Sequence, residues 1–135
     1  MADPRQRCDE TPPPGLLEGI RLFNAAEYFE CHEALEAIWH AEREPIRYLY
    51  QGILQIGVGF HHLRNGNFRG ATLLLHDGID KTAYFTPECM GVKTELLCEQ
   101  AQMCLDLLHA LGRERIAEFD WTLVPRVHLV DDAMG

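Results

Sequence analysis

The chain has 135 residues, 47% of them hydrophobic and 24% charged, with 21 acidic against 12 basic side chains and a formal net charge of −9. That length suffices for one domain with a sizeable core. Only Lys81 and Lys93 are lysines and no stretch is a basic cluster, which argues against nucleic acid or an anionic membrane as a partner.

The five cysteines (Cys8, Cys31, Cys89, Cys98 and Cys104) are odd in number and contain no Cys-x-x-Cys. This speaks against a disulfide framework or a thiolate zinc site and suits a reducing, cytoplasmic setting. The N-terminus has no apolar core of a signal peptide, and the longest uncharged run, 48–63, is short for a bilayer span.

Residues 1–15, with "DETPPPG", read as a flexible lead-in, because prolines resist helix. A first helix follows from Leu16 to Ala25 and a second from about Ala26 to Ala41. "EREP" breaks the second, since Pro45 disfavours helix before it and suits a helix start. A third helix spans about Ile46 to Arg64. "NGN" ends it and caps a fourth, from Phe68 to about Tyr84. "FTPECMG" is a loop, and a fifth helix from about Val92 to Leu111 stops at Gly112. Residues 113–135 form a turn and an extended tail, in which Pro125 forbids helix. The expected fold is all-α: one bundle of about five helices over 16–112, built on an antiparallel helical hairpin, with an extended C-terminal tail.

The second helix carries an anomaly. At about 100° per residue, Tyr28, His32, Leu35 and Trp39 share a core-facing stripe, with Glu36 on its edge. Glu27 and Glu30 point away and suit the first turn of a helix; Glu33 sits at the boundary. On the third helix, Gln51, Gln55, Val58 and His62 form one stripe at spacings of four, three and four. Gly52 and Gly59 flank it and would let a neighbouring helix approach closely. The two helices are joined by a tight turn, so their polar stripes should meet.

Buried polar groups cost a few kcal/mol each unless paired, so such a cluster needs a reason. In a scaffold reading, Glu36 accepts from an imidazole and the glutamines close the network. In a metal reading, His32, Glu36 and His62 bind a divalent ion, zinc, iron or manganese, because His₂Glu with an open position is a catalytic set. In a pocket reading, Glu36 or Glu33 acts as base and His32 as acid on a small molecule, with Gln51, Gln55 and Trp39 holding it.

"HEALE" is not the zinc motif H-E-x-x-H, since Glu36 stands where the second His belongs. The paired Glu-x-x-His pattern of carboxylate-bridged di-iron bundles is absent too. Cys31 neighbours His32 in sequence but points about 100° away, and the chain has no serine to act as a nucleophile. His61 reads as a surface or rim residue, and His76, on the fourth helix, as core filler or rim.

Three segments, "FNAAEYFECHEALEAIW", "YLYQGILQIGVGFHHLRNGNFRGATLLL" and "TPECMGV", resemble the domain-of-unknown-function family numbered 309. The resemblance rests on His32, Glu33, Glu36, Trp39, Gln51, Gly52, Gln55, His62, Gly66, Asn67, Pro87 and Gly91, and runs from about Leu16 to Leu111. It implies an all-α, multihelical domain and no established activity. The sequence thus leads to a semi-buried His/Glu/Gln site with hydrolytic or acid/base chemistry on a small molecule. The alternative is a non-catalytic structural or interaction module, with a second copy of the chain as a partner.

Overall fold

In the computed structural model, which describes residues 3–131, five α-helices follow one another: α1 (Pro14–Asn24), α2 (Tyr28–Ala41), α3 (Arg47–Arg64), α4 (Phe68–Thr82) and α5 (Thr94–Leu111). Short 3-10 turns occupy Ala83–Phe85, Arg113–Glu118 and Trp121–Leu123. The fold is all-α, and the helix ends lie close to the expected ones because they are written in local chemistry. Pro14 opens α1 at a position whose N–H needs no partner. The Asn67 side chain accepts from the Gly70 amide (2.9 Å) and caps α4. Gly66 and Gly112 have φ of +73° and +72°, the left-handed geometry that ends α3 and α5.

Helix α3 is the centre of the bundle. It packs most extensively on α4 and next on α2; α1 leans on α2, and α5 covers α4. The buried stripe of α2 is Tyr28, Cys31 and Leu35. It is rotated from the expected one: Cys31 enters the core and His32 moves to its rim. Tyr28, Phe23 and Phe60 form an aromatic knot, with Phe23 edge-on to both others and ring centroids 5.6–6.4 Å apart.

The α3–α4 seam is closely packed. A Cβ at Gly78 would lie 2.7 Å from the Gly52 carbonyl oxygen and 2.7 Å from the Ile56 amide nitrogen, and one at Gly59 would press on Leu75 at 2.8 Å. The expected close approach at Gly52 and Gly59 is therefore made by α4, with Gly78 as the reciprocal small residue.

The lead-in is fastened rather than loose. Cys8 and Cys89 are joined by a disulfide across 81 positions, with Cα atoms 4.2 Å apart. This corrects the expectation of no disulfide, which rested on local spacing and an odd count, and it runs against the reducing setting inferred from them. Met90 donates its amide to the Cys8 carbonyl (2.7 Å), and the Arg7 guanidinium pairs with Glu42 at the end of α2 (2.8 Å) and with Glu10 (3.1 Å). The tail is pinned as well. Asn24 accepts from the Val127 amide (2.7 Å) and donates to the Val127 carbonyl (3.0 Å), while Lys93 donates its amide to the His128 carbonyl (2.8 Å). Among the described residues, no helix is long and apolar enough to cross a membrane.

Candidate functional site

The α2–α3 packing opens a cleft of about 240 Å³ on the bundle surface. His32, Glu36 and Trp39 reach it from α2, and Gln51 and Gln55 from α3. Leu54, Val58 and Leu74 supply its apolar walls. The periodicities explain the convergence: residues 32, 36 and 39 share one face of α2, and 51, 55 and 58 share one face of α3. Leu74 adds a contribution from α4, which no reading of the first hairpin alone would include.

Inside this cleft the His32 imidazole Nε2 lies 3.0 Å from Glu36 Oε2. Both side chains are rather more than one-third exposed, so the pair sits at the mouth and not in the core. The other carboxylate oxygen of Glu36 faces His40 Nε2 at 3.2 Å. Glu36 thus lies between imidazoles one helical turn on either side of it. His40 escaped the sequence reading, although its i+4 spacing from Glu36 in "EAIWH" was a usable signal.

The polar network does not close on itself in the way the scaffold reading expects. Neither Gln51 nor Gln55 has a side-chain hydrogen bond among the described residues, and the Gln55 Oε1 is buried without a donor. The indole Nε1 of Trp39 is likewise buried without an acceptor. The Trp39 ring is covered by the Arg47 guanidinium, 4.7 Å from its centroid, a cation–π contact that fixes the indole at the end of the cleft.

Two of the named residues stand apart. His62 does not line the cleft. Its Nδ1 lies 3.3 Å from the Asn67 side-chain nitrogen, and its ring abuts Gly70 at the α3–α4 turn. Burial, and secondarily the neighbouring His61, depress the His62 pKa below its ordinary value of 6.5. Glu33 is exposed and is not part of the cleft. Among the described residues, no three His, Cys, Asp or Glu side chains are arranged to hold a metal ion. The expected set of His32, Glu36 and His62 is not assembled, because one turn of α3 beyond Val58 carries His62 past the cleft. Cys31 is fully buried, and desolvation pushes its thiol up to about 12, which leaves no thiolate for a Cys–His pair. His61 pairs instead with Asn65 (3.3 Å), as a rim residue should.

Comparison with known proteins adds the following. The model of the family described as Domain of unknown function (DUF309) matches residues 16–74. That stretch contains most of α1, all of α2 and α3, half of α4 and every residue of the cleft. The expected extent to Leu111 is longer than the match, and Pro87 and Gly91 lie outside it. The uncharacterized protein YpuF of Bacillus subtilis (strain 168) is 35% identical over 69 residues, which cover 50% of this chain and 40% of that protein. The chain therefore spans less than half the length of this curated relative. No solved structure matches.

Proposed function

We propose, from the resemblance of residues 16–74 to the domain-of-unknown-function 309 family and from the cleft those residues build, that the chain binds a small polar molecule between α2 and α3 and acts on it by acid/base chemistry. In this reading Glu36 takes up a proton, His32 relays or donates one, and Gln51, Gln55 and Trp39 hold the ligand. The observation that carries it is the unfinished network: a carboxylate–imidazole pair at 3.0 Å beside a buried amide oxygen and a buried indole N–H that have no partner. An orphaned buried polar group costs about 1–3 kcal/mol, and a ligand offering one donor and one acceptor would remove that cost through a small side-chain adjustment. A pure scaffold would be expected to close such a network. A general acid/base pair contributes about 10²–10⁴-fold to a rate.

A screen of small amides, esters and carboxylic acids against labelled protein tests this. Hits should shift the side-chain signals of Gln51, Gln55 and Trp39, and turnover of a hit should fall at least about a hundredfold in both His32→Gln and Glu36→Gln. Hits that leave those signals unmoved, or turnover that survives in His32→Gln, would refute the proposal.

A non-catalytic reading draws on one observation. Phe29 is 54% exposed, with the His32 and His61 rings 6.5 and 6.3 Å from its own, an apolar projection suited to contact with a second copy of the chain. Sedimentation of the wild type against Phe29→Ser separates the two: a dimer lost in the variant, without turnover in the wild type, favours the module.

A further inference from the structure

A second cavity lies where the C-terminal tail crosses the end of α1 and the start of α2. It has a volume of about 480 Å³, within the range of roughly 300–1,000 Å³ typical of small-molecule sites. Its walls come from Phe23 and Tyr28 on one side and Trp121, Val124 and Pro125 on the other, and two arginines, Arg64 and Arg126, line it.

The cavity is basic in a chain that is acidic as a whole. The chain carries 21 acidic side chains and a net charge of −9, yet among the described residues no Asp or Glu lines this cavity. Three of the eight other arginines are paired with carboxylates: Arg7 with Glu10 and Glu42, Arg21 with Glu18, Arg115 with Glu118. Arg126 is exposed and has no hydrogen-bond or ion-pair partner among the described residues. Arg64 is positioned and not neutralised: it donates Nη1 to the Ala26 carbonyl (2.8 Å), and its guanidinium carbon lies 5.3 Å from the Tyr28 ring centroid. Ala26 itself has φ of +59°, outside the usual range for alanine, so the α1–α2 corner is bent into the conformation that Arg64 grips.

The far wall is rigid. Both backbone groups of Val127 are clamped by Asn24, which fixes the segment beside Arg126, and Trp121 stands edge-on to Phe119 at 5.4 Å and 81°. Trp121 nonetheless remains 45% exposed, leaving an indole surface beside two uncompensated cations.

From this arrangement we infer that the cavity is a binding site for an aromatic carboxylate of one or two fused rings, its carboxylate held by Arg126 and Arg64 and its ring lying against Trp121 and the aliphatic wall. The guanidinium fork matches a planar carboxylate through two parallel hydrogen bonds, and an aromatic body uses the apolar wall that an inorganic anion would waste. The tail wall of the cavity lies outside the family match of 16–74, and Phe23, Asn24, Ala26, Tyr28 and Arg64 lie within it. The cavity is separate from the α2–α3 cleft and does not rest on the function proposed for it.

The test uses 2-naphthoate as probe, with the neutral 2-naphthalenemethanol and inorganic phosphate as comparisons, in calorimetry and backbone chemical-shift titration of the full chain. 2-Naphthoate should bind with a dissociation constant below about 1 mM and shift residues 24–28 and 121–127. The alcohol and phosphate should each bind at least about tenfold more weakly, as expected for loss of a charge-assisted hydrogen bond or of the ring contact. Arg126→Gln should weaken 2-naphthoate at least about tenfold, with an unchanged melting temperature showing that the fold is intact. Trp121→Ala should weaken 2-naphthoate while leaving phosphate unaffected. No binding by 2-naphthoate, equal binding by the alcohol, tighter binding by phosphate, or shifts that map to residues 51–58 would each overturn the assignment.

Discussion

Replacing Gly78 by alanine is the most direct probe of how α3, and with it the glutamine side of the cleft, is held in place. The new methyl carbon would stand 2.7 Å from the Gly52 carbonyl oxygen, the Ile56 amide nitrogen and the Ile56 Cγ1. Unstrained contacts lie near 3.5–4.0 Å, so the deficit is about 1 Å against two backbone atoms that have no rotamer to change. The helices must separate, and overpacking of this kind costs about 1–3 kcal/mol. Alanine returns about 0.5–1 kcal/mol through its better helix propensity, leaving a net loss near 1–2 kcal/mol. At about 2.1 cal/mol/K per residue, unfolding 135 residues carries an entropy near 0.28 kcal/mol/K, so a loss of 2 kcal/mol lowers the melting temperature by about 7 °C. Calorimetry of wild type and Gly78→Ala reads this directly. A variant that melts at or above the wild-type temperature would show that propensity outweighs contact and that the α3–α4 seam is not close-packed as described.

The Cys8–Cys89 bond closes a loop spanning 81 positions; chain-entropy arguments place its contribution at up to about 4.5 kcal/mol, and Cys8→Ala should lower unfolding stability in non-reducing denaturant titrations by about 2–4 kcal/mol, while equal midpoints for wild type and variant would show the bond does not form in solution. His62 has a folded pKa below its ordinary 6.5, so the unfolded chain binds more protons between the two values and stability rises with pH through that window. The contribution is fully present above about pH 6.5 and is lost as pH falls through the depressed folded value. His62→Gln should therefore flatten the decline in stability as pH falls below about 6.5, and a decline unchanged in the variant would locate that proton uptake elsewhere.

Much of the helical frame was legible locally. Gly66, Asn67, Gly112 and the proline-led turns mark helix ends through φ preference and capping, which depend on a few adjacent residues. The stripes 32–36–39 and 51–55–58 were likewise readable, since helical periodicity alone decides which side chains share a face. His62 was misplaced because periodicity says nothing about where a neighbouring helix stops covering that face, and the α3–α4 turn claims its ring first. Periodicity also places His32 and Trp39 on the core stripe of α2 with Tyr28 and Leu35, whereas Cys31 is the residue that is buried beside those two.

Sequence alone determined the helices, their boundaries and the polar character of two of their faces, because each follows from interactions within about one turn. Only the tertiary structure decided that Cys8 meets Cys89, that Gly78 answers Gly52, that Glu36 pairs with His32 while the glutamines stay open, and that Arg64 and Arg126 share one cavity. Those contacts join residues far apart in the chain, and their geometry is set by how whole helices and the tail pack, a quantity that no local spacing contains.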